Sequence, residues 1–257
     1  MGPHNLRTLK SFKRKETKKT LQMLTCYDYQ TATMLNETTL DMILVGDSLG
    51  NVILGHPTTI PVTIEEMKIF SRAVTRGATK KFIVADMPFG SYPYLNKGID
   101  NAIDLYQYSQ AQALKLEGAC DETLKIISAI INNGIPVMGH IGLTPQSVHQ
   151  MGGFYTHGKD EKNKQAIKKQ AWQLYEAGCF SIVLECVEKT LAQEITDELP
   201  IPIIGIGSGR ETDGQVLVIN DLFRMGADRP PQFCQPIDDF FTRMKTMVED
   251  YIQNQKD

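Results

Sequence analysis

Phe82-Ile83-Val84-Ala85-Asp86 is an apolar run that stops on a carboxylate. A run this short, β-branched and continuously apolar reads as a strand buried on both faces, where an unpaired ionised side chain is costly. The pattern recurs along the chain. Asp47 comes just after Met42-Ile43-Leu44-Val45, Glu117 follows Leu114-Lys115-Leu116, and Glu185 follows Ile182-Val183-Leu184. The C-terminal ends of successive parallel strands are where a (β/α)8 barrel builds its active site, so the acids point to a barrel enzyme in which a bound cation offsets the charge.

Working outward, apolar runs that fit strands occur at 21–26, 42–45, 82–85, 113–116, 136–139, 180–184, 201–206 and 216–219. Helix-period segments lie between most of them, such as Ile64 to Thr75 with Met67, Ile69, Phe70 and Val74, and Ala166 to Ala177 before Gly178. Eight alternating units predict a closed (β/α)8 TIM barrel, α/β in class and a single domain over 1–257. Arg210 to Gln215 is too short for a crossover helix, so one helix is expected to be missing between the last two strands. Gly142 to Asn163, rich in Gly, His and polar residues, reads as a long loop above the strand ends. Residues 1–20 read as an N-terminal helical extension, and 229–257 as a closing segment plus an amphipathic helix from Asp238 to Ile252 packed on the barrel or a neighbouring subunit.

The chain has 257 residues, 42% hydrophobic and 22% charged, with a net charge of −3, which gives no electrostatic case for a nucleic-acid partner. Lys10 to Lys19 is its one basic cluster. Without interleaved aromatics it reads as a solvated helix face or loop. Cys26, Cys120, Cys179, Cys186 and Cys234 are odd in number and form no Cys-x-x-Cys pair, which suits a reducing cytoplasm better than a disulfide framework or a zinc ribbon. No stretch approaches the ~18 to 20 apolar residues of a membrane helix, so no membrane partner is expected.

Asp47, Asp86 and Glu117 end three consecutive strands, which lie about 4.8 Å apart, and are the candidate metal ligands. Hard oxygen donors without Cys or His at zinc spacing favour Mg²⁺. Lys115, two residues before Glu117, shares its inward face; it either grips an anionic substrate beside the acids or snorkels from the strand end. Glu185 lies across the barrel mouth, placed as a base toward carbon or as a fourth site carboxylate. His140, after Val137-Met138-Gly139, and His56 are each candidate substrate-orienting groups or ordinary structural histidines. Gly205-Ile206-Gly207-Ser208-Gly209 fits either a phosphate loop or close packing.

These residues fall in ordered segments that resemble the ketopantoate hydroxymethyltransferase family. They are Thr25-Cys26-Tyr27-Asp28-Tyr29, Val45-Gly46-Asp47-Ser48-Leu49-Gly50, Ala85-Asp86-Met87-Pro88-Phe89, Lys115-Leu116-Glu117-Gly118, Gly139 through Ser147, Leu184-Glu185-Cys186 and Ile204 through Gly209. The resemblance implies transfer of a hydroxymethyl group from 5,10-methylenetetrahydrofolate to 3-methyl-2-oxobutanoate through a Mg-stabilised enolate, in a homodecamer of two stacked pentameric rings. It implies that Asp47 and Asp86 coordinate Mg²⁺ directly, Glu117 holds it through water, Ser48 and Lys115 bind the oxo acid, and Glu185 is the base. The chain departs from the family pattern at Ala119, at Ser109-Gln110-Ala111, at Asn220 and over Met225 to Cys234. Two other readings are compatible with the strand-end acids: an enzyme of the phosphoenolpyruvate mutase and isocitrate lyase kind, and a catalytically silent, ring-forming relative.

Overall fold

The structure, a computed structural model, describes residues 4–255. Eight parallel strands close a barrel in sequence order. They are β1 (Leu21–Thr25), β2 (Met42–Val45), β3 (Phe82–Asp86), β4 (Ala113–Glu117), β5 (Val137–Gly142), β6 (Ser181–Glu185), β7 (Ile203–Ile206) and β8 (Gly214–Leu217). β2 to β5 are buried along their whole length, as expected of strands walled by helices on one side and by the barrel interior on the other.

Local signals explain the helix bounds. Ile64–Gly77 starts at a capping box in which Thr63 and Glu66 exchange hydrogen bonds, and it buries Met67, Ser71, Val74 and Gly77 at helical spacing. Ile69, expected on the apolar face, is 61% exposed. Glu161–Glu176 starts five residues before the expected Ala166, because the Asp160 carboxylate caps the Asn163 N–H and a charged first turn hides the periodicity.

The barrel interior is filled by inward side chains, among them Leu21, Met23, Met42, Leu44, Phe82, Val84, Met138, Val183 and Ile204. Its lower end is plugged by the N-terminal segment. Leu9 of the helix Leu6–Lys10 is fully buried in this cluster, with Leu6 and Phe12 packed against it. The expected 1–20 extension is thus two short helices, Leu6–Lys10 and Arg14–Thr17, with residues 1–3 outside the described ones. The basic cluster is not wholly solvated, contrary to the reading of the sequence. Lys13 Nζ donates to Thr196 O and Ile201 O and pairs with the fully buried Asp213, whose Oδ1 also accepts the Arg14 N–H.

β8 lies two residues earlier than expected, at Gly214–Leu217 instead of 216–219. Gly214 pairs with Ile204, and a Cβ there would stand 2.5 Å from the Ile204 side chain and 2.9 Å from that of Leu21, so the closure needs a glycine. No helix separates β7 from β8, as the short spacing indicated. The 142–163 segment is not irregular throughout: it contains a 3₁₀ turn at Pro145–Ser147, a helical turn at Val148–Met151 and a bridge from His157 to Val187.

The chain divides into two compact units, one ending at Val216 and the other beginning at Leu217. In the second, Ile219–Leu222 leads to the helix Phe240–Asn254, whose cap Asp239 accepts the Thr242 N–H and pairs with Arg224. Met244, Met247, Val248 and Tyr251 of this helix are exposed. Residues 256–257 of the expected tail lie outside the described ones. No described helix is long and apolar enough to cross a membrane.

Candidate active site

Side chains alternate along a strand, so the residues that follow the interior core by two or four positions form the next layers toward the strand ends. Phe82 and Val84 lead to Asp86, Ala113 to Lys115 and Glu117, Met138 to His140, and Val183 to Glu185. Register sets Asp86 level with Lys115 and Glu117 level with His140. Hydrophobic layers below thus give way to a charged layer at the C-terminal rim. Asp47 joins it from just past β2, its backbone N–H donating to Asp86 Oδ2 at 3.1 Å.

Asp47, Asp86, Lys115, Glu117 and His140 are all buried, while the Glu185 side chain keeps 16% of its exposure. Lys115 Nζ is 3.1 Å from Asp86 Oδ1, 3.2 Å from His140 Nδ1 and 3.9 Å from Glu117 Oε1. His140 bridges two acids, with Nδ1 3.4 Å from Glu117 Oε1 and Nε2 3.3 Å from Glu185 Oε2. Neither Asp86 Oδ1 nor His140 Nε2 has a well-aligned hydrogen bond, despite these separations. Gln146 completes the cluster. Its Nε2 donates to Asp47 Oδ2 at 2.8 Å and to Met87 O at 2.9 Å, and its backbone N–H donates to Glu117 Oε2 at 3.1 Å.

Charge is out of balance in this layer. Burial, and then the neighbouring Asp86 and Glu117, raise the Asp47 carboxyl well above its ordinary value, and burial raises Asp86 as well. Burial works against the Lys115 ammonium, but the charges of Asp86, Glu117 and Asp47 outweigh it and raise its pKa. Burial and Lys115 oppose a charged His140, yet hydrogen bonds and charge from Glu117 with Glu185 bring it up to about 9. Glu117 moves the other way, because His140, Lys115 and the Gln146 N–H overcome its desolvation. Four carboxylates against two cations leave a surplus that a divalent cation would neutralise.

The donor set suits a hard ion. Asp86 Oδ1 is a buried carboxylate oxygen without a hydrogen bond, next to a second aspartate on the adjoining strand end. Among the described residues, no three His, Cys, Asp or Glu side chains are arranged to hold an ion together. Mg²⁺ needs fewer: one or two carboxylates with retained waters are usual for it.

All of the residues proposed from the strand ends meet in this layer, and Ser48 stands beside it with Oγ 2.8 Å from the Tyr27 hydroxyl. The apolar run ended at Gly139, but β5 continues to Gly142 and so carries His140 inside the strand. Among the described residues, nothing ties His56 to the cluster. The glycine-rich stretch serves packing: Ser208 Oγ donates to Leu184 O at 2.8 Å and accepts the Val187 N–H at 2.9 Å, and a Cβ on Gly205 would meet Thr212. Sequence reasoning missed Gln146, Tyr92, whose hydroxyl donates to Gln146 Oε1 at 2.8 Å, and the buried His157, which feels the charge of Glu185. Neutral polar residues in a polar loop make no anomaly, although Gln146 did lie within a family-like segment. A groove at the opposite strand ends, lined by Lys13, Arg14, Lys15, Asp197 and Glu211, has these charges already paired.

The family profile described as Ketopantoate hydroxymethyltransferase matches residues 4–257. The chain is 48% identical over 221 residues to a 3-methyl-2-oxobutanoate hydroxymethyltransferase of Legionella pneumophila (strain Paris), covering 86% of this chain and 84% of that one. It is 46% identical over 252 residues to the protein of the same name from Bdellovibrio bacteriovorus, covering 96% and 94%. Among solved structures, phosphoenolpyruvate phosphomutase from Streptomyces platensis subsp. rosaceus shares the fold with a TM-score of 0.67 at 13% identity, over 97% of this chain and 87% of that one.

Proposed function

The chain belongs to the ketopantoate hydroxymethyltransferase family, and from that premise we propose that it transfers a hydroxymethyl group from 5,10-methylenetetrahydrofolate to 3-methyl-2-oxobutanoate, giving 2-dehydropantoate for pantothenate biosynthesis. One observation carries the reading beyond the family name: a buried surplus of carboxylates at the rim, with the less deeply buried Glu185 linked to Glu117 through His140.

Asp47 and Asp86 would hold Mg²⁺, with Glu117 behind them acting through water. When bound, the ion supplies Lewis-acid stabilisation of negative charge on the substrate keto oxygen. Lys115, and Ser48 anchored on Tyr27, bind and orient the oxo-acid carboxylate. Glu185 removes the proton from C3, a step for which a positioned base contributes roughly 10²- to 10⁴-fold. His140 keeps the Glu185 carboxylate aimed at that carbon. The enolate carbon attacks the methylene carbon of the folate iminium, forming the new C–C bond. Water then adds to that methylene carbon as its bond to the folate nitrogen breaks, and the nitrogen takes up a proton from the water, releasing tetrahydrofolate and the hydroxymethyl product.

The surroundings support a cytoplasmic homodecamer as part of the same reading. All five cysteines are free, and the helix Phe240–Asn254 exposes several large apolar side chains suited to contact between subunits. Mass by light scattering would be ten times the 28.8 kDa chain; a monomer mass contradicts the assembly. For the reaction, consumption of 3-methyl-2-oxobutanoate is followed with and without the folate, and with and without a chelator. Turnover should need both the folate and a divalent ion. Turnover without folate would favour a carbon-bond lyase or mutase, and none under any condition would favour a silent relative.

A further inference from the structure

Gln146 is 5% exposed and has every polar atom of its side chain engaged within a cluster of charges. Two acceptors, Asp47 Oδ2 and Met87 O, lie on one side of its carboxamide, which fixes that side as the NH₂. On the other side Oε1 accepts from the Tyr92 hydroxyl at 2.8 Å. That hydroxyl accepts the Glu117 N–H at 3.3 Å, and its single proton goes to Gln146 Oε1 at 2.8 Å in preference to Glu117 O at 3.5 Å. The hydrogen bonds therefore run one way: Glu117 backbone to Tyr92, Tyr92 to Gln146, Gln146 to Asp47.

This chain of donors settles which carboxylate oxygens are spoken for. Glu117 has none to spare: Oε2 takes the Gln146 N–H, and Oε1 faces Lys115 and His140. Asp86 commits Oδ2 to the Asp47 N–H, while its Oδ1 has no aligned hydrogen bond and faces Lys115 Nζ at 3.1 Å. Asp47 commits Oδ2 to Gln146, leaving Oδ1 with no hydrogen-bond donor among the described residues. Both oxygens of Glu117 are thus faced by donors, Asp86 Oδ1 faces Lys115 alone, and Asp47 Oδ1 faces no donor among the described residues. We propose that Gln146, clamped by Tyr92, is a positioning residue that presents Asp47 to the divalent ion and keeps Glu117 from binding it directly. The proposal rests on the metal reading given above.

A neutral amide suits this task better than its isosteres. Glutamate would add a carboxylate 2.8 Å from Asp47, and methionine would keep the shape but give no donor, freeing the Asp47 carboxylate to rotate. Mn²⁺ titration of the purified full chain, by calorimetry and by the electron paramagnetic resonance of free Mn²⁺, reads the effect without turnover. Gln146→Met should raise the Kd about 10- to 100-fold, as removal of a partner behind a metal ligand usually does. Tyr92→Phe should raise it roughly two- to tenfold, the size of one net hydrogen bond.

Melting of the metal-free variants is measured alongside, because a merely structural role would lower the melting temperature and leave Kd where it was. A wild-type Kd in Gln146→Met overturns the proposal. If that variant does not fold, an unchanged Kd in Tyr92→Phe overturns it instead. Wild-type protein that binds no Mn²⁺ would overturn the metal reading itself, a failure distinct from tight binding that ignores Gln146.

Discussion

His157 stacks on Tyr155 with ring centroids 4.3 Å apart, is buried, and has no hydrogen-bond partner for Nε2 among the described residues. Burial lowers its pKa, and the charge of Glu185 only partly restores it. A histidine whose folded pKa lies below the unfolded value binds fewer protons in the native state. Its contribution is therefore complete above about pH 6.5 and is lost as the pH falls below it, with a slope of at most ~1.4 kcal/mol per pH unit for one proton. Urea midpoints between pH 7.5 and 5 should fall less steeply for His157→Gln than for wild type; parallel curves would contradict this. Its neighbours in the site differ in how visible they are in the sequence. Asp47, Asp86, Lys115, Glu117 and Glu185 stand out because charge interrupts or ends an apolar run. Gln146 and Tyr92 interrupt nothing, and their importance arises only when the loop folds back onto the rim.

At the scale of elements, the end of β5 decides where the proposed base stands. Gly142 is level with Glu185, has φ +91°, and a Cβ there would lie 2.3 Å from the Glu185 carbonyl oxygen. The next residue, Leu143, donates its N–H to that same oxygen at 2.8 Å. Gly142→Ala should therefore cost about 1 to 3 kcal/mol from the backbone conformation alone, before the clash is counted, and should lower turnover by displacing Glu185. Chemical denaturation and kcat measured together check this, and an alanine variant of wild-type stability and rate would contradict it. Strand identity was legible in the sequence because the runs are short, apolar and β-branched. Strand ends were less so: β5 hides its last three residues behind Gly139, and β8 begins on a glycine that the approach of Ile204 and Leu21 explains. The helical turns at 145–151 have no hydrophobic period to announce them, being held by contacts to the rim.

At the scale of the molecule, the alternation of strand and helix was enough to indicate the barrel, and the eight strands close in sequence order. What closes the bottom was not foreseen. Leu9 enters the interior from a helix of five residues, too short to show a pattern. Leu9→Ala should destabilise the fold by about 2 to 5 kcal/mol, read from the denaturation midpoint, while kcat of the folded protein stays unchanged. A smaller loss would mean that the N-terminal helix only rests on the barrel. In the proposed function, a divalent ion and Glu185 at the barrel's other end together take hydrogen from C3 of the oxo acid. The direct measurement is deuterium uptake at C3 of 3-methyl-2-oxobutanoate in D₂O without folate, followed by proton NMR for wild type with Mg²⁺, wild type with a chelator, and Glu185→Gln with Mg²⁺. Exchange should occur in the first and fall at least 10²-fold in the other two, the lower bound for losing a positioned base. Equal exchange in Glu185→Gln, or exchange indifferent to the chelator, would contradict the mechanism.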